Sequence, residues 1–169
     1  GYRNNLTEAL PILKEFGFSA TCYIISQKIG GVNEWDLEKG IPENPLMDED
    51  DIHQWIDGGM EIGSHTQNHV HLTECDTQQA EMEITQSKQD LEQLFGSTID
   101  HFCYPWGKHT TNIAQLTKQT KYQSATTTKR GRATQAHSLQ HLPRVPVSHS
   151  TLPHLFLLKV LTAYEDRRG

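Results

Sequence analysis

No apolar run in these 169 residues approaches the ~20 needed to cross a bilayer, and no secretory-signal pattern heads the sequence. Basic residues are scarce: 15 lysines and arginines face 21 carboxylates, for a formal charge of −6. That balance removes any electrostatic case for binding nucleic acid or an anionic membrane surface. The one concentrated basic stretch, Lys129-Arg130-Gly131-Arg132, reads as a solvated turn. Cysteine is sparse too, and three thiols cannot close a disulfide framework. Cys22 and Cys103 fall inside apolar runs and read as small buried hydrophobes, while Cys75 sits in a loop. Repeats and low-complexity linkers are absent, so the length fits one domain with a proper core.

What is present is an alternation of helix and strand signals. Asn5 and Glu8 have capping-box spacing, and Leu6, Ala9, Leu10, Leu13 and Phe16 form a helical stripe that Gly17 is placed to end. Residues 19–25 form a near-continuous apolar run, the pattern of a strand covered on both faces. A long connection over 28–48, broken by Gly30-Gly31, Pro42 and Pro45, marks a functional or partly mobile loop. Asp48 then caps a helix whose Ile52, Trp55 and Ile56 face inward. A strand over 60–63 follows. Asp76 and Gln79 repeat the capping spacing before a helix marked by Ala80, Ile84, Leu91, Leu94 and Phe95 and ended by Gly96. Strand signals over 99–104, 122–127 and 142–147, a helix over 112–119 and a closing helix through Leu155, Leu158 and Leu161 complete the chain. This alternation predicts an α/β domain with a parallel sheet, and an open doubly wound sheet and a closed barrel both fit it.

The stretch with chemistry follows the strand over 60–63. His65 and His69 are four residues apart, so a helical backbone would place them on one face with Cβ atoms roughly 5–6 Å apart. Two imidazoles at that separation can share a metal ion, each reaching ~2.1 Å to a zinc-like centre. A His-rich surface turn is the plain alternative. Position favours the metal, because parallel α/β sheets carry their chemistry at the C-terminal ends of their strands. His71 should point away from the pair, and His53, His101, His109, His137 and His154 read as structural or exposed.

Ser64-His65-Thr66-Gln67-Asn68-His69, led in by Gly59-Met60-Glu61-Ile62-Gly63 and followed by Leu72-Thr73, resembles the metal motif of the polysaccharide deacetylases, the NodB-like carbohydrate esterases. Val70 stands where that family usually has proline, which shapes the turn and binds nothing. Further matches run in the same order along most of the chain. They are Gly1-Tyr2, Gly17-Phe18-Ser19-Ala20-Thr21, Ile29-Gly30-Gly31 with Asn33-Glu34-Trp35, Phe102-Cys103-Tyr104-Pro105-Trp106-Gly107, and Leu142-Pro143-Arg144-Val145.

The resemblance implies an irregular (β/α) barrel over 1–169, a single domain that is N-terminally incomplete and lacks its first strand. It implies a metal-dependent carbohydrate deacetylase, a hydrolase of C–N bonds other than peptide bonds. Such an enzyme removes acetyl groups, N-acetyl first among them, from a polysaccharide or cell-surface glycan in the envelope or outside the cell. His65 and His69 would be metal ligands, with Zn²⁺ the default and nickel, cobalt or iron suited to similar ligands. The Trp106 backbone N–H would be the oxyanion donor, and Tyr104, Pro105, Trp106 and Arg144 would contact the sugar. His149 is the candidate acid; His141 is out of register. The family's Asp-Asp pair, a metal ligand and the general base, belongs immediately before Gly1-Tyr2. Asp36, Asp48, Asp50 and Asp51 read instead as solvated charges or caps. The chain alone is therefore expected to bind metal weakly and turn over little. A non-catalytic carbohydrate-binding relative is the alternative, and an unrelated barrel metallohydrolase would need further ligands that the sequence does not offer.

Overall fold

The computed structural model describes residues 1–37 and 39–168, and its core is a five-stranded all-parallel sheet in the order β1-β2-β3-β4-β5. The strands are β1 (Thr21–Ile24), β2 (Glu61–Ser64), β3 (His101–Cys103), β4 (Ser124–Arg130) and β5 (Leu142–Arg144). A doubly wound sheet reverses direction partway, so strictly sequential order decides against that alternative. Crossovers between parallel strands are right-handed, so sequential order puts the main crossover helices on one face of the sheet. The sheet also curls. Tyr23 on β1 reaches Thr126 on β4, three strands away, with Thr126 Oγ1 donating to its hydroxyl at 3.4 Å. Strands ~4.8 Å apart in a flat sheet would put those residues ~14 Å apart, beyond one tyrosine's reach. The ring lies over Gly63, where a Cβ would stand 2.6 Å from Tyr23 Cε1. Among the described residues the strands form an arc, with no pairing between β1 and β5.

Side-chain alternation sorts the two faces. Ile24, Ser64, Phe102 and Ala125 share one register row and are all buried under the helices. Tyr23 and Thr21 point to the concave side and are only partly covered, so β1 is not buried on both faces as its apolar run predicts. The core joins that row to Ile52 and Trp55 of α3 (Glu49–Asp57), Ala80, Ile84 and Leu91 of α4 (Thr77–Phe95), and Ile113 and Leu116 of α5 (Thr111–Gln119).

Several caps form as the sequence predicts. Asp48 accepts from the Asp51 N–H at 2.8 Å in a reciprocal capping box, and Asp76 accepts from the Gln79 N–H at 2.8 Å. Gly17 and Gly96 end their helices at φ 66° and 63°. Phe18 N–H bonds Leu13 O and Gly17 N–H bonds Lys14 O, the paired bonds of a Schellman motif.

Other expectations are corrected. The first helix opens as a π-helical turn, Asn5–Ala9, before α1 (Leu10–Glu15), and Asn5 donates to Tyr2 O at 3.0 Å instead of capping. The wide turn breaks the 3.6-residue phase, which leaves Phe16 exposed at the C-cap. The long connection contains a single helical turn, α2 (Glu34–Leu37), tied down by bridges Tyr2↔Leu46 and Val32↔Pro45. In α4, Leu94 points outward. In α6 (Pro153–Leu161) Leu158 and Leu161 are exposed, and the buried residue is Lys159, whose Nζ lies 2.8 Å from Glu165. An ion cluster with Arg130, 2.6 Å from Glu165, anchors this helix in place of the leucine stripe. No helix among the described residues is long and apolar enough to cross a membrane.

Candidate active site

Four of the predicted residues, His65, His69, Trp106 and Arg144, lie at the C-terminal ends of the strands. His65 leaves β2 and extends its pairing by one bond, donating its N–H to Ile24 O at 2.8 Å. Segment 65–69 is an irregular loop, not a helical turn. Thr66 and His69 take φ of 67° and 58°, and the His69 N–H bonds Thr66 Oγ1 at 2.9 Å. That geometry still brings the imidazoles together, with ring centroids 4.8 Å apart. Among the described residues four non-glycine residues have positive φ, and three of them, Thr66, His69 and Trp106, are here. Strain concentrated in this way is characteristic of functional sites, where the surroundings hold the backbone in place.

The pair is electrically neutral and oriented. Burial pushes the His65 pKa down to about 3, helped by His69. Burial likewise lowers His69 to about 4. His65 Nδ1 lies 2.6 Å from Cys103 O. A carbonyl only accepts, so Nδ1 carries the proton and Nε2 keeps the lone pair. His69 Nδ1 is buried without a hydrogen-bond partner. Neutral imidazoles, one oriented by a backbone carbonyl and one with an orphaned buried nitrogen, suit a divalent metal of the zinc type. Among the described residues no third His, Cys, Asp or Glu side chain joins them. Asp36 is held by Tyr2 Oη at 3.2 Å and Lys39 Nζ at 2.9 Å, and Asp51 lies in the α3 cap and pairs with Arg3 at 2.9 Å. The Cys75 Sγ donates to His71 O and is no ligand.

Aromatic rings wall the pair. Trp35 on α2 and Trp106 after β3 flank His69 at centroid distances of 4.4 and 4.3 Å. His71 stacks on Trp106 at 3.6 Å and 9°, so it belongs to this wall and does not point away. Beside them lies a cavity of about 410 Å³ bordered by Gly1, Tyr23, His65, His69, Cys103 and Arg144. Arg144 is fixed by its Nε, which donates to Thr127 O at 2.8 Å.

Two predicted sugar contacts are placed elsewhere. Tyr104 points into the core, donating to Gln140 O at 2.7 Å, and burial raises its pKa to about 12. Pro105 is buried as well. Both anchor the turn that presents Trp106. His149 lies exposed between β5 and α6 and does not border the cavity. Sequence reading missed Tyr23 as a wall of the cavity, although its alternation with Cys22 and Ile24 was the available signal.

A parallel α/β sheet carrying a neutral histidine pair at the end of its second strand defines a recognisable class. The family model described as polysaccharide deacetylase matches residues 1–125, and the chain belongs to that family. It is 28% identical over 148 residues to YxkH of Bacillus subtilis (strain 168), a polysaccharide deacetylase by name, covering 88% of this chain and 49% of that one. BC0361, a polysaccharide deacetylase from Bacillus cereus, shares its fold at TM-score 0.78 and 27% identity, over 94% of this chain and 48% of that one. The Streptococcus pyogenes deacetylase PplD, solved with acetate, has the same fold at TM-score 0.79 and 23% identity, over 94% and 66%. The chain thus spans about half the length of YxkH and BC0361.

Proposed function

We propose that this chain carries the metal-binding centre of a metal-dependent carbohydrate deacetylase that hydrolyses acetyl groups, N-acetyl foremost, from a polysaccharide. The observation that carries this reading is the neutral, carbonyl-oriented His65–His69 pair opening onto a cavity at the strand ends. A divalent ion bound there supplies Lewis acidity and lowers the pKa of its water.

The chain's own residues do the rest of the positioning. The Cys103 carbonyl holds the His65 tautomer, and the backbone N–H of Trp106, a residue held at φ 52°, is the donor assigned to the developing oxyanion. Trp35 lines the cavity and offers an apolar ring to a pyranose, Trp106 lies beside it with one face covered by His71, and Arg144 offers donors from the cavity wall. The third ligand and the general base are assigned to an Asp-Asp pair joined to Gly1. Gly1's nitrogen lies 2.8 Å from Tyr23 O, and Gly1 borders the same cavity as both imidazoles, so a residue attached to it arrives beside them. A positioned carboxylate base contributes typically ~10²–10⁴-fold.

The test compares this chain with one extended upstream through the Asp-Asp pair, each measured for bound metal and for acetate release from acetylated chitooligosaccharides. Metal and acetate in the extended form, both lost in H69A, are the expected result. Sugar binding with no metal in either form would replace this reading with that of a non-catalytic carbohydrate-binding relative.

A further inference from the structure

Helix α4 turns a polar stripe, Glu83, Ser87 and Asp90, toward the loop that carries the histidines. Spacings of four and three place these residues on one helical face, amid the apolar Ala80, Ile84 and Leu91. Glu83 is only 3% exposed. Its Oε2 accepts the backbone N–H groups of Gln67 at 2.9 Å and Asn68 at 3.0 Å, and its Oε1 accepts Asn68 Nδ2 at 2.8 Å. Ser87 Oγ lies 2.7 Å from Ser64 Oγ. Asp90 Oδ2 accepts from Gln67 Nε2 at 2.9 Å and from Ser26 Oγ at 2.8 Å. One helix face therefore grips the segment on both sides of His65 and between the two histidines.

Burying a carboxylate is costly unless charge-assisted hydrogen bonds compensate it. Glu83 receives three such bonds, all from residues 67 and 68. Those residues sit between Thr66 and His69, whose positive φ values are strained and persist only where the surroundings over-determine them. We infer that Glu83, with Ser87 and Asp90 beside it, is a positioning residue that holds the strained 65–69 loop so that the two imidazoles converge. Its functional meaning rests on the metal reading above; its geometric effect does not. Without the carboxylate, two backbone N–H groups lose their acceptor. The loop relaxes and His69 separates from His65.

The experiment uses the full chain and its E83A, E83D and E83Q variants, with H69A as control. Long-range ¹H–¹⁵N spectra of the imidazole rings are recorded without metal and through a Zn²⁺ titration, well below each variant's unfolding temperature. In E83A the metal-free ring signals of His65 and His69 should move, and Zn²⁺ affinity should fall roughly 10–100-fold, the usual effect of removing a support behind metal ligands. E83Q keeps an acceptor oxygen for the backbone amides and should recover most of the loss, which a merely destabilising change would not predict. If E83A does not fold, E83D carries the same test, because its carboxylate is withdrawn by one methylene. Metal-free ring signals at wild-type positions in whichever of the two folds overturn the inference. Wild-type rings that ignore Zn²⁺, as H69A should, overturn the metal reading instead and leave the metal-free spectra to judge the positioning claim.

Discussion

The carbonyl oxygen of Cys103 lies 2.6 Å from Nδ1 of His65, so a backbone group on β3 selects the tautomer of a side chain that leaves β2. The relationship ties the orientation of His65, one of the two proposed metal ligands, to the register between two neighbouring strands. Nδ1-protonated His65 is expected in nitrogen-detected spectra of the metal-free chain. H65A and H69A should each weaken Zn²⁺ binding by well over ~10-fold, since each removes one of the two proposed ligands. Calorimetric titration checks this, and a variant binding as tightly as the parent would refute the assignment.

Stability should depend on pH through the same pair. Both imidazoles have folded pKa values below the ordinary 6.5, about 3 for His65 and about 4 for His69. The unfolded chain takes up protons below pH 6.5 that the folded pair refuses. The stabilisation is therefore full above that pH and is lost as pH falls toward those folded values. For the buried His65 the loss between pH 7 and 5 is roughly 1–2 kcal/mol. Urea midpoints of the metal-free chain at the two pH values should differ by more than those of H65Q.

Gly63 is required by its neighbour's ring. A Cβ there would meet Tyr23 Cε1 at 2.6 Å and His101 O at 2.8 Å. G63A should destabilise the fold by about 1–3 kcal/mol or displace Tyr23 from its hydroxyl contact with Thr126. Combining it with Y23A should relieve the part of the clash due to the ring and leave that with His101 O, and a double-mutant cycle measures the coupling.

Helix α6 is expected to come loose in acid. Arg130 and Lys159 hold the Glu165 carboxyl down to about 2. The ion cluster's contribution is present above the ordinary carboxylate range and is lost as pH falls from about 4.5 to about 2. Amide exchange along Pro153–Leu161 should accelerate across that window, and E165Q should exchange fast at neutral pH as well.

The sequence by itself determined the α/β class, the two side-chain caps at Asp48 and Asp76, and which strand carries the histidines, because these depend on local periodicity and on nearby hydrogen bonds. The spacing of His65 and His69 showed that they could meet, yet not how. A helical turn was the simplest route, and the structure uses an irregular loop with two positive-φ residues. That conformation is locally unfavourable and exists because Glu83, far along the chain, supplies the acceptor it needs. Tyr104 shows the same division, since its motif is readable but its direction is set by Gln140 and Thr117. Leu158 and Leu161 form a stripe on paper, and the buried partner of Lys159 turns their helix over. Tertiary structure alone decided the curl that carries Tyr23 across to Thr126, because curvature is a property of the strands together and no single one encodes it.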